Sequence, residues 1–120
     1  MKKEILNYIK KHPKGVSFAE LRSHIEGFYG WYALGWHQKN IVFWFHMSKD
    51  AAEAIIELLD EGIIEMLPTE PLTYTIDGRM PSAPIAKQLN RTYKEKRWYP
   101  TVLNLKQASP EEKARALPFC

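Results

Sequence analysis

Four histidines, His12, His24, His37 and His46, are the side chains best suited to hold a metal or move a proton. They share no metal-ligand spacing. A closed zinc site takes cysteine or histidine ligands in close pairs, and the single cysteine, Cys120, is the last residue. No G-x-S-x-G elbow and no glycine-rich phosphate loop occurs, so nucleophilic and phosphoryl-transfer chemistry lack their usual residues. Glu53, Glu57 and Glu61 recur every fourth residue and form a carboxylate stripe. Successive turns of one rigid helix cannot wrap a cation that needs roughly six or more oxygens. The expectation is therefore no enzyme, no metal and no cofactor. Binding through charge and aromatic rings is what remains.

The charge is strongly segregated. The whole chain carries 17 Lys and Arg against 14 Asp and Glu, for a net +3. Residues 1–49 hold eight basic and three acidic residues, 50–77 hold eight acidic residues and no Lys or Arg, and 78–120 hold nine basic and three acidic residues. Inside the last block, RTYKEKRWYP interleaves Arg91, Lys94, Lys96 and Arg97 with Tyr93, Trp98 and Tyr99. Cations mixed with aromatics suit nucleic-acid backbones and bases. They equally suit an extended segment docked on an acidic surface.

The elements that must carry these residues follow from periodicity and caps. Ile5, Leu6 and Ile9 predict a helix from Lys2 to His12, ended by Pro13 and Gly15. Ser17-Phe18-Ala19-Glu20 has the form of a capping box and predicts a second helix with Phe18, Leu21 and Ile25 inward. A third helix begins near Ser48, buries Ala51, Ile55, Leu58 and Leu59, and stops at Gly62, which suits the left-handed position after a helix. Residues 63–67 and 72–76, joined by Pro68-Thr69-Glu70-Pro71, read as a β-hairpin. After Gly78, Pro81, Pro84 and Pro100 predict an extended run, and Ser109-Pro110-Glu111-Glu112 predicts a last short helix before Pro118.

LLDEGIIEML followed by LTYTIDG resembles the recognition helix and wing of winged helix-turn-helix regulators, over about residues 2–77. The resemblance implies an α+β fold of three helices plus a β-hairpin wing, and DNA binding through the third helix. NIVFWFHMSKDAAEAIIELLDEG also resembles small uncharacterised phage and prophage proteins, a likeness that implies no activity. Three departures stand out, one of them the basic tail after Gly78. The third helix is acidic where a phosphate backbone would need the opposite sign, and residues 26–47 intervene between helices two and three. Eight of the fifteen aromatics lie in that insertion. They read either as added core or as a surface for a partner or for stacking bases, with Lys39 at the tip.

The expected organisation is a winged-helix domain at 1–78 with the insertion 26–47, and a basic tail at 79–120 packed on it. The start has no signal-peptide pattern and no stretch approaches a membrane span, so a cytoplasmic protein without a membrane partner is expected. Two functions fit. One is a nucleic-acid-binding protein, a phage-type transcription regulator, that contacts DNA through Arg91, Lys94, Lys96, Arg97 and helix one. The other is a protein-interaction module, including a homodimer, that offers Glu53, Glu57, Glu61 and the aromatic insertion. Complementary blocks also predict that Arg91, Lys94 or Arg97 meets the acidic stripe within the chain or across a dimer.

Overall fold

Helix α1, Lys2–Lys11, turns Ile5 and Ile9 inward one turn apart, with Glu4 in the first turn and Lys10 and Lys11 in the last, both favourable to the helix dipole. A short strand β1, Val16–Ser17, runs directly into helix α2, Phe18–His24. The computed structural model describes residues 1–117. Ser17 caps α2 by accepting from the Glu20 amide at 3.0 Å. The reciprocal half of the box is absent, because the Glu20 carboxylate is drawn instead to Tyr8 and Arg115.

The insertion folds as a hairpin of β2, Tyr32–Trp36, and β3, Ile41–Met47, joined by a single 3-10 turn at His37–Lys39. Asn40 closes that turn in the left-handed region at φ 56, which Asn tolerates better than most residues. The strands approach so closely at Gly35 that a Cβ there would collide with the Ile41 carbonyl. Helix α3, Lys49–Asp60, is capped by Ser48, whose hydroxyl accepts from the Ala51 amide at 3.1 Å, and it buries Ala51, Ala54, Ile55 and Leu58. Its end is the glycine stop read from the sequence. Gly62 lies at φ +71, its amide donates to the Leu59 carbonyl, and the Ile63 amide donates to that of Leu58.

Strand β4, Ile64–Pro68, follows. Here the structure corrects the expected wing: residues 72–76 are not its partner strand but lie in helix α4, Pro71–Ile76, with Pro71 in the first turn. A strand would set Leu72, Tyr74 and Ile76 on one face. The helix buries the neighbours Thr73 and Tyr74 and leaves Leu72 and Ile76 outside. Two further strands, β5 at Arg97–Trp98 and β6 at Thr101–Leu105, come from the expected tail. The true partner of β4 is β6, antiparallel, from Ile64 opposite Leu105 to Pro68 opposite Thr101.

Among the described residues the result is an α+β fold of four α-helices and two three-stranded sheets, ordered β1-β6-β4 and β2-β3-β5. Because β6 is the central strand of the first sheet, Gly78 does not divide a domain from a draped tail. Trp98 and Leu103 are fully buried in the same core as Ile5, Phe18, Phe43 and Leu58, and Val102 is fully buried too. The expected last helix is also corrected. Ser109 and Glu112 exchange the hydrogen bonds of a capping box, but residues 109–116 form turns rather than a helix.

Candidate functional site

The acidic stripe is compensated from α1, not from the tail. Lys2 pairs with Glu61 and lies 3.4 Å from Glu57, and Lys49 lies 3.9 Å from Glu53 along the same helix. The hydrogen bond to Glu61 raises the Lys2 pKa above its ordinary value. Within the chain, the expected contacts of Arg91, Lys94 or Arg97 with Glu53, Glu57 or Glu61 are thus not made among the described residues. β2 packs beside α3, and a shallow cavity of about 240 Å³ between them is lined by Leu34, Trp36, Phe43, Ile56 and Met66 among others. The outer side of α3 is therefore both acidic and flanked by the hairpin.

The tail cations gather around the hairpin tip at the start of β3, next to Trp36, which also lines the cavity against Ile56 and Asp60 of α3. The Tyr93 amide donates to the Lys39 carbonyl at 3.0 Å, Asn40 Nδ2 donates to the Tyr93 carbonyl at 2.8 Å, and the Arg97 amide donates to the Asn40 carbonyl at 2.8 Å. These bonds, with β5 laid parallel to β3, bind residues 85–97 around the turn. Tyr93 is nearly buried, and its ring carries two guanidinium groups, Arg97 at 4.9 Å and Arg91 at 5.5 Å from the centroid. Such stacking supports arginine without neutralising it. Lys39 Nζ donates to the Leu89 carbonyl at 3.1 Å and stands 5.5 Å from the ring of Trp36, whose own exposure is 46%. Lys87, Lys94 and Lys96 are exposed on the same segment, while Arg97 is half-buried and donates to the Ile85 carbonyl at 3.2 Å. Among the described residues none of these six cations is in an ion pair, and Glu95 is the one acid of residues 79–97.

The ion pairs that do join the tail to the acidic block use residues the sequence reading passed over. Lys113 pairs with Glu65, and Arg115 bridges Glu20 of α2 at 2.7 Å and Asp77 after α4 at 2.8 Å. Ser17 donates to the same Asp77 carboxylate, and the Tyr8 hydroxyl donates to Glu20 at 2.7 Å. Burial, then the adjacent Glu20 carboxylate, pushes the Tyr8 pKa well above the ordinary tyrosine range. This network ties four parts of the chain together. No periodicity or motif marks Arg115, and only its membership of a basic tail hinted at it.

The aromatic insertion divides by residue. Phe28, Phe43 and Trp44 are core, Trp44 stacking against Phe18 and Tyr74, whereas Tyr29, Trp31, Tyr32 and Trp36 are exposed. The histidines are scattered: His12 and His24 pack on Tyr8, His46 packs on Tyr29 and Trp31, and His37 lies in the hairpin turn. Among the described residues no three His, Cys, Asp or Glu side chains come together as a metal site, and no helix is long and apolar enough to cross a membrane. Cys120 lies outside the described residues. Comparison with known proteins returned no match: no family model, no curated protein and no solved structure is significantly similar to the chain.

Proposed function

We propose that this chain is a nucleic-acid-binding protein of winged helix-turn-helix type that engages the DNA backbone through the basic hairpin tip instead of α3. The observation that carries this reading is a basic segment bound to the hairpin tip, with Lys39 beside an exposed Trp36, Arg91 and Arg97 stacked on Tyr93, and Lys87, Lys94 and Lys96 exposed along the same segment, all six cations outside ion pairs among the described residues. Unpaired cations lose little on meeting phosphate, and each one that does so releases condensed counterions. The winged-helix reading is supported by three helices that lead through Gly62 into an antiparallel pair, β4 with β6. It departs from the expected wing in that α4 and the tip-binding segment intervene between the two strands. α3 is a poor reading helix, since its exposed carboxylates would face phosphate and β2 flanks it. With Lys2 held by Glu57 and Glu61, the share of α1 falls to the exposed Lys3, Lys10 and Lys11.

Binding to random duplex and single-stranded DNA across a salt series tests this. Six phosphate contacts would give a log–log salt slope of up to about −5 for duplex. Changing Arg91, Lys94, Lys96 and Arg97 together to Ala is expected to reduce that slope by roughly 3 to 4. A slope unchanged by the fourfold variant would remove the tip from the interface. A second reading, as a protein-interaction module using Glu53, Glu57 and Glu61 of α3, is favoured by one observation. β2 is an edge strand beside α3 whose outer backbone groups are free to pair with another strand, either from a partner or from a second copy. Absence of DNA binding at low salt, with concentration-dependent dimer in sizing experiments, would favour it.

A further inference from the structure

Away from the tip, roughly 16 Å along β3 at the rise of an extended strand, the chain forms a further cavity. It measures about 550 Å³ and opens to solvent, within the range of small-molecule sites. Arg22 of α2, Trp44 and His46 of β3, and Arg79 and Ser82 after α4 line it, and no carboxylate does. The position of Arg79 is set by the end of α4. Gly78 takes φ +94, a conformation costly for residues with a Cβ, which lets the Arg79 amide donate to the Tyr74 carbonyl at 3.0 Å. Arg22 holds its guanidinium 4.2 Å from the centre of the Tyr29 ring. Neither arginine is in an ion pair among the described residues.

A second kind of recognition adjoins the cavity at His46, which lines it and meets the ring of Trp31. Tyr29, Trp31 and His46 form a surface cluster with centroids 5.7 to 6.1 Å apart, and Trp31 is 80% exposed, so it contributes little to the core. Guanidinium groups with no acid beside them match a phosphate through paired hydrogen bonds, and an exposed indole offers a face for a planar ring. We propose that this cavity binds a free nucleoside phosphate, its phosphate held by Arg22 and Arg79 and its base stacked on Trp31. The site is separate from the hairpin tip and stands whether or not the tip binds DNA.

Calorimetric titration of the full chain with AMP, adenosine and inorganic phosphate tests it. AMP binds saturably, and adenosine and phosphate alone each bind at least about tenfold more weakly. Arg79→Ala, at an exposed side chain that leaves the fold intact, weakens AMP and phosphate together. Trp31→Ala weakens AMP about tenfold and leaves phosphate unchanged. The tip variant Arg91→Ala with Lys94→Ala leaves AMP affinity unchanged. The proposal is overturned if AMP shows no saturation up to on the order of 10 mM. It is equally overturned if Arg79→Ala and Trp31→Ala both bind AMP like the parent, if adenosine binds as tightly as AMP, or if the tip variant abolishes the response.

Discussion

The Tyr74 hydroxyl donates to the Thr101 carbonyl at 2.6 Å, and the same oxygen accepts from the Phe18 amide at 3.2 Å. A buried ring on α4 thereby joins the start of α2 to the start of β6, wedged between Trp44 and Trp98. Tyr74→Phe keeps the ring and removes the hydroxyl, which strands a buried amide and weakens a carbonyl's satisfaction. The expected cost is about 1–3 kcal/mol, read as a lower denaturant midpoint at unchanged m.

Alkaline pH acts on the same group. Burial raises the pKa values of Tyr74, Tyr8 and Tyr99 above the ordinary tyrosine value. The neutral form is favoured in the folded state, so their contribution is whole below the unfolded pKa of about 10 and is lost as pH rises beyond it. Stability is expected to fall above about pH 10, and the phenolate absorbance of the fully buried Tyr74 to appear together with unfolding. Tyr74→Phe should make that decline shallower.

Removal of Arg115 takes from both Glu20 and Asp77 the cation they share, with side chains only 16% and 11% exposed. Breaking a buried pair costs about 3–5 kcal/mol, and partial solvation here brings the expectation for Arg115→Ala to about 1–3 kcal/mol. Lysine lacks the two-armed fork that reaches both carboxylates, so Arg115→Lys restores only part of the loss. Thermal melting of the two variants side by side measures this.

Aromatic truncations should sort by depth. Trp98→Ala and Trp44→Ala remove fully or nearly buried rings and are expected to cost about 3–5 kcal/mol. Trp31→Ala and Trp36→Ala are expected to cost under about 1 kcal/mol, because much of each ring is already in water. Denaturant midpoints for the four variants would show the two groups.

Charge reversal on α3 separates the tip from the helix as the DNA contact. Glu53→Lys is expected to leave DNA affinity unchanged or higher, since it removes a repulsive carboxylate outside the proposed interface. Loss of binding in a folded Glu53→Lys protein, checked by circular dichroism, would return α3 to the centre of recognition.

The three long-range-independent elements were legible. α1, α2 and α3 announce themselves through Ile5 and Ile9, through Ser17 and Ser48 as caps, and through Gly62 as a stop, all of which act within a few residues. LTYTI alternates like a strand, and what makes it helical is distant: Thr101 and Phe18 take the Tyr74 hydroxyl, and β6 already holds the place beside β4. TVLNL buries Val102 and Leu103 as neighbours, the mark of a central strand, but Pro81, Pro84 and Pro100 locally encode an extended run. At the tip, Lys39 and the tail cations were visible as residue types. Their meeting depends on backbone bonds from Lys39 and Asn40 to Tyr93 and Arg97, which no local pattern encodes. Block charges foretold that basic and acidic segments would pair, while Lys2, Lys113 and Arg115 rather than Arg91 or Lys94 became the partners.

The register that sets Val16 opposite Leu103 carries a cost in time. During synthesis, β1 and β4 leave the ribosome with their shared neighbour still unmade, and each then presents backbone edges with nothing to pair to. Closure of the first sheet must wait for nearly all of the described chain and for the slow search that distant pairings demand. The nascent protein is therefore most open to misassociation and to chaperones just before Thr101–Leu105 emerges, and a stalled or shortened chain lacking that strand is an aggregation hazard rather than a smaller folded protein.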